Sequence, residues 1–313
     1  MMKDFSALSF TEKERLCNEA FVNNGPYWHI YTNGNIMQNI FCSKEDYNCG
    51  MWQLAIAKCI ARRVKLLTFE LMSNHVHFIV AGEKDDCEDF FKLFASRIKH
   101  IFTRLGKVID WSRFQHEILP IESLTALRNE IIYTNRNAFV ANASYTPFSY
   151  LWGGGCAYFN PFLEYLQIKA FGQLPIQKQR QILHSRDTSS FARLYIWEDS
   201  VFIPSFCDIS LGESMFQDAR KYFNSLTRNA EAFSQIASRI KDTIFLTDDE
   251  LYAVTTAHID KEYKTTQIKL LSPQHKIDTS KHLHFKYNAT NSQIRRILKI
   301  DISILEEMFP TGL

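Results

Sequence analysis

Two histidines separated by one residue, His75 and His77, stand inside the otherwise apolar run LMSNHVHFIV at residues 71–80. Strand side chains alternate between faces at about 3.3 Å per residue, so these two imidazoles project from one face while Val76 and Phe78 project from the other. Adjacent imidazoles on one face can share a divalent cation. Further along, Tyr133 and Asn137 lie four residues apart within SLTALRNEIIYTNRNAFVA. In a helix that spacing places both on one face, one turn apart. A phenol with pKa of about 10 is a weak nucleophile at neutral pH and needs either deprotonation or a strongly polarised target. A cation on the histidine pair beside a helical tyrosine would supply that polarisation.

The H-x-H pattern alone is equally the signature of two ordinary satisfied histidines. The chain holds a second copy, HLH at residues 282–284, with Tyr287 only three residues on and no Tyr-x-x-x-Asn helix behind it. We read that copy as a decoy. A histidine-triad hydrolase needs a third alternating histidine where this chain has Ile79. A two-histidine phosphoesterase needs two H-x-Thr or H-x-Ser motifs, which do not occur.

The elements that must position the four residues are legible in outline. Residues 64–82 hold two apolar runs broken by Ser73-Asn74, which is turn chemistry, so a β-hairpin is expected. Before it come a helix at residues 11–21, a strand beginning PYWHIYTNG, and a helix from Lys44 with apolar residues at helical spacing. After it come a helix from Cys87 ending at Gly106, a strand from Arg113 in RFQHEILPI, and the tyrosine helix from about Glu122 to Asn142, with Ser123 or Thr125 as its cap. The order β-α-β-β-α-β predicts an α+β fold, a ferredoxin-like (split βαβ) antiparallel sheet with both crossover helices on one face. The glycine-rich stretch ending LWGGG is taken as the edge of this first domain.

A chain of 313 residues, 46% hydrophobic with 25 phenylalanines, is long enough for two or three domains. It has no run of about 18 apolar residues and no signal-like start, which predicts a cytoplasmic protein without a membrane partner. Seven scattered cysteines without C-x-x-C argue for reduced, mostly buried thiols. The net charge of +2 neither demands nor excludes nucleic acid, but residues 260–300 carry nine Lys or Arg against three Asp or Glu.

The motifs resemble, in order, those of the HUH single-tyrosine transposases, the insertion-sequence and REP-associated tyrosine transposase family. LMSNHVHFIV is similar to the family's MPNHVHL, YTNRNAFVAN to its YINRNPVVAG, and YLWGG to its YPWSS; YWHIYTNGN and FQHEILPI resemble its first and fourth strands. The resemblance spans residues 27–155. It departs at Ser73 and Ala138, where the family carries proline, and at Gly153-Gly154, where it carries a serine pair. It implies a metal-dependent endonuclease and transesterase that cuts single-stranded DNA, near a hairpin, through a covalent 5′-phosphotyrosine. The implied catalytic residues are Tyr133 as nucleophile with His75, His77 and Asn137, and the implied metal ligands are His75, His77 and Asn137. Two imidazoles and an amide oxygen form a neutral, open set that suits Mg²⁺ or Mn²⁺ held jointly with substrate phosphate and water. The second reading is a non-catalytic, domesticated nucleic-acid-binding regulator on the same fold.

We therefore expect an HUH domain at residues 1–155, a helical scaffold at 156–257, and a helix-turn-helix-like DNA-binding module at 258–313. SLGES at Ser210 offers a capping box with Glu213 for a helix through MFQDARKYFNSL. Three short helices are expected beyond Ser272. Among them ATNSQIRRILKIDISIL resembles a helix-turn-helix, with Arg295, Arg296 and Lys299 as its duplex-DNA contacts. The assembly is expected to be a monomer or a homodimer.

Overall fold

The computed structural model describes residues 8–141, 145–184, 186–228, 230–240, 242 and 246–310. Asn142, expected near the end of the tyrosine helix, lies outside them. The chain divides into two compact units, Met1–Tyr222 and Phe223–Leu313.

The first unit opens with α1 (Phe10–Asn24), capped by Ser9, whose hydroxyl accepts from Glu12 N–H while the Glu12 carboxylate accepts from Ser9 N–H. There follow β1 (Tyr27–Thr32), α2 (Lys44–Ile60), β2 (Lys65–Leu71), β3 (Val76–Ala81), α3 (Lys84–Arg104), β4 (His116–Ile121) and α4 (Leu124–Ala141). The fold is α+β. All three strand pairings are antiparallel, in the order β2-β3-β1-β4. The period-2 pattern decides the two faces. Phe78 meets Phe90, Phe91 and Phe94 of α3, whereas His77, one residue earlier, meets Tyr133 of α4 on the opposite face. Leu71 and Phe41 crowd Gly50 of α2, where a Cβ would overlap the Phe41 ring at 2.6 Å, so α2 approaches the sheet on backbone alone at that point.

The glycine run ending at Gly155, expected at a domain edge, packs into the first unit. Gly153 bridges to Glu70 on the outer edge of β2, a Cβ on Gly154 would strike Thr68, and one on Gly155 would come within 3.0 Å of the Asn135 carbonyl. These glycines let the chain press against β2 and α4. The residues beyond stay with the same unit. Tyr158 Oη donates to Leu67 O at 2.8 Å, Asp208 N–H to Leu66 O at 2.7 Å, and Asn135 Nδ2 to the Tyr222 hydroxyl at 3.0 Å. The unit boundary thus falls after Tyr222, inside α7, and no unit ends at 155 or 257.

The rest of the first unit holds β5 (Lys169–Ala170), α5 (Ile176–Leu183), β6 (Tyr195–Trp197), β7 (Ser200–Val201), α6 (Ile209–Glu213) and the first turn of α7 (Ala219–Arg228). Strands β5, β6 and β7 form a small second sheet. The capping box expected at Ser210 does not form. The Glu213 carboxylate instead accepts the Phe159 N–H at 2.5 Å, and the helix breaks before α7 starts at Ala219.

The second unit contains α8 (Ala230–Ile240), α9 (Asp248–Tyr263), α10 (Pro273–Tyr287), α11 (Asn291–Leu298) and α12 (Ile302–Met308). The three short helices beyond Ser272 are as expected: Ser272, Thr290 and Asp301 cap them, and Lys299 ends α11 in the left-handed conformation at φ 54°. Their core is Leu251, Leu283, Ile294, Leu298 and Leu305. All seven cysteines are free thiols, five of them buried. Among the described residues no helix is long and apolar enough to cross a membrane.

Candidate functional site

The hairpin between β2 and β3 turns at Ser73-Asn74, closed by Met72 N–H donating to His75 O at 2.9 Å. Its tip is held rigidly by the chain after β1. Ile40 and Phe41 N–H both donate to Ser73 O, at 2.7 and 2.9 Å, and Asn74 Nδ2 donates to the carbonyls of Gly34 and Met37, at 2.7 and 3.2 Å. The other end of the Asn74 amide, Oδ1, lies 2.7 Å from His75 Nδ1. Asn74 therefore orients His75 while it clamps the turn. Gly34 is part of the same construction, because a Cβ there would lie 2.6 Å from His75 Nδ1.

His75 precedes the first residue of β3 and His77 is its second residue. Their rings stand edge to face at 5.0 Å between centroids, 88° between planes. Tyr133 of α4 meets His77 in a second edge-to-face contact at 5.8 Å. Asn137 follows one turn later on the same helical face and is buried. The structure thus brings His75, His77 and Tyr133 together and places Asn137 on the same face of the helix that carries Tyr133.

Three other tyrosines of this unit donate their hydroxyls to neighbours. Tyr31 donates to Glu117 Oε2 at 2.7 Å, Tyr27 to Phe21 O at 3.0 Å, and Tyr150 to Leu71 O at 2.5 Å. Burial pushes the Tyr27 phenol up to about 12 and the Tyr150 phenol higher still. Neither is suited to act as a nucleophile at neutral pH.

Three carboxylates and imidazoles that the motif reading missed complete the surroundings. His29 of β1 is completely buried, with Nε2 3.0 Å from His77 Nδ1 and Nδ1 2.8 Å from Glu130 Oε2. Glu70 of β2 stands opposite His77 in the sheet register, and its Oε1 accepts the N–H of Ala138 at 3.0 Å. Proline at that position, as in the resembled motif, could not donate this bond. Two signals were present in the sequence. His29 occupies an alternate position of the strand YWHIYT, and Glu130, Tyr133 and Asn137 follow the i, i+3, i+7 spacing of one helical face.

The expected DNA contacts lie in the second unit. Arg295 and Lys299 are exposed on α11 and at its cap. Arg296 is already engaged: Nε and Nη2 donate to the two carboxylate oxygens of Asp248, at 2.5 and 2.9 Å. The guanidinium holds the Asp248 carboxyl below its ordinary range. The second H-x-H copy is helical, on α10, so its two rings diverge. His282 stacks on His258 at 3.8 Å and His284 on Phe309 at 4.1 Å.

No family model, no curated protein and no solved structure matches the chain.

Proposed function

We propose that the protein is a metal-dependent single-stranded DNA endonuclease and transesterase of the HUH single-tyrosine transposase type, with Tyr133 as nucleophile. The observation that carries this reading is the meeting of His75, His77 and Tyr133 on one sheet face, from two elements 56 residues apart in sequence. The strand order β2-β3-β1-β4 supports it, because a ferredoxin-like split βαβ unit has that order. The ring of Tyr133 abuts His77 of that pair.

The donor set fits a divalent cation. His75 and His77 would hold it with Asn137, and no cysteine takes part. When bound, the ion would stabilise negative charge on the phosphate under attack. The chain's own residues do the rest. Asn74 and His29 orient the two imidazoles, and α4 presents the phenol. In the reaction, the Tyr133 oxygen forms a bond to phosphorus and the bond from phosphorus to the 3′-oxygen breaks. The phenol proton is released and the leaving 3′-oxygen takes up a proton. One phosphodiester becomes one phosphotyrosine, so rejoining needs no outside energy source. The helical second unit, with Arg295 and Lys299 exposed, would add a duplex contact.

The test is strand and metal preference. Purified protein with Mn²⁺ should cut labelled single-stranded oligonucleotides from the flanks of its own gene, leave the duplex forms intact, and stop in excess EDTA. DNA binding without cutting under all these conditions would leave the regulator reading instead.

A further inference from the structure

Behind the H-x-H pair, three side chains from three elements form a line. Glu130 Oε2 of α4 is 2.8 Å from His29 Nδ1 of β1, and His29 Nε2 is 3.0 Å from His77 Nδ1 of β3. Both imidazoles are completely buried and Glu130 is 2% exposed. Polar groups so deep persist only where each is satisfied by a partner of the right hydrogen-bonding sense.

We propose that Glu130 and His29 are positioning residues: together they fix His77 as the tautomer with its proton on Nδ1, so that Nε2 presents the lone pair with which His77 binds a divalent cation. The last clause rests on the metal reading above; the tautomer assignment does not.

The assignment follows from donor and acceptor counts. In the assigned arrangement Glu130 accepts, so His29 Nδ1 carries the hydrogen in the bond between them. A neutral imidazole has one N–H, which leaves His29 Nε2 as an acceptor. The group 3.0 Å away, His77 Nδ1, is then the donor. In a ring so protonated the lone pair sits on Nε2. The rival arrangement is a His29 imidazolium. It would donate from Nε2 to His77 Nδ1, drive the His77 proton onto Nε2, and leave no lone pair for a cation. Outer partners of this kind, a carboxylate or imidazole behind a ligating histidine, fix ring orientation and typically change metal affinity by about 10- to 100-fold.

The sequence builds the line economically. Glu130 precedes Tyr133 by three residues, so the turn of α4 that delivers the phenol also delivers the carboxylate. His29 sits at an inward position of a central strand, flanked by β3 on one side and β4 on the other.

The experiment uses the ¹⁵N-labelled full-length protein without metal. Long-range ¹H–¹⁵N spectra of the imidazoles report which nitrogen is protonated, with the His77 signals assigned by their loss in His77→Gln. Mn²⁺ affinity is measured separately, by the electron paramagnetic resonance signal of the unbound ion. The wild type should show His77 protonated at Nδ1 only. Glu130→Ala should mix or reverse that pattern and raise the Mn²⁺ dissociation constant about 10- to 100-fold. In Glu130→Gln the amide oxygen still accepts from His29, so the wild-type pattern and most of the affinity should return. A wild-type His77 protonated at Nε2, or a pattern unmoved by Glu130→Ala, overturns the proposal. If the tautomer responds as stated while no variant or wild type binds Mn²⁺, the positioning role stands and the metal reading of the site fails.

Discussion

Replacing Gly34 with alanine should cripple the site while leaving the fold intact. A Cβ built on Gly34 lies 2.6 Å from His75 Nδ1, 3.1 Å from Cγ and 3.2 Å from Cε1, so it meets the whole near edge of the ring. Ordinary contact needs about 3.5 Å, which forces a displacement of about 1 Å. The ring has no slack to absorb it. Its Nδ1 is held by Asn74 at 2.7 Å, and Asn74 is itself bound to the Gly34 and Met37 carbonyls. A displacement of about 1 Å at a reacting centre costs on the order of 10²-fold in rate. Gly34 does not occupy the left-handed region, so its backbone accepts alanine, but the gain of about 0.4–1 kcal/mol from a less free unfolded chain offsets only part of the crowding at the ring, which costs about 1–3 kcal/mol. The net change is a modest loss of stability. The assay pairs Mn²⁺-dependent oligonucleotide cleavage with a thermal melt. Cleavage reduced by less than about tenfold, or a melting temperature at or above wild type, would refute the reasoning.

Three further outcomes follow from particular contacts. Gly212→Ala would drive a Cβ into the hydroxyl of buried Tyr158, which donates to Leu67 O; it should cost about 1–3 kcal/mol in urea unfolding, and an unshifted midpoint would contradict the packing. His282 is held down to about 4, chiefly by burial and then by the stacked His258. Its folded value lies below the unfolded 6.5, so the unfolded chain binds more protons between the two, and stability falls as pH drops from 6.5 toward 4. Protection factors of the α9 and α10 amides, corrected for the intrinsic pH dependence of exchange, should fall across that window and do so less in His282→Phe; an equal fall in both would exclude His282 as the cause. Asp248→Asn releases Arg296, and the slope of log K against log salt for duplex binding should steepen by about 0.9. Substituting Arg295, Arg296 and Lys299 together by alanine should flatten it. Unchanged slopes in both would remove α11 from DNA contact.

The part of the fold legible from sequence was the part written in local chemistry. The Ser73-Asn74 turn, the two apolar runs beside it, and the alternation that separates His77 from Phe78 need only neighbouring residues, and the sheet carries them as read. Tyr133 was legible by its helical spacing. What escaped depended on partners far away in the chain. Glu213 looked like a capping residue until Phe159 claimed its carboxylate. Gly153, Gly154 and Gly155 looked like the edge of a domain, because composition does not distinguish glycine that breaks a chain from glycine that lets two segments touch. His29 and Glu130 are unremarkable singly. They acquire meaning only when the sheet and α4 bring them 2.8 Å apart, beside His77. Arg296 carried the charge of a DNA contact, yet Asp248, 48 residues earlier, engages it.

The central claim is that Tyr133 forms a covalent bond to DNA. The most direct measurement is mass spectrometry of protein incubated with Mn²⁺ and single-stranded oligonucleotides, digested with nuclease and trypsin. The tryptic peptide NEIIYTNR, residues 129–136, should carry a nucleotide 5′-phosphate on Tyr133. The modified peptide should vanish in Tyr133→Phe and in His77→Ala. Strand cleavage that persists in Tyr133→Phe, or an adduct on any other residue, would contradict the account.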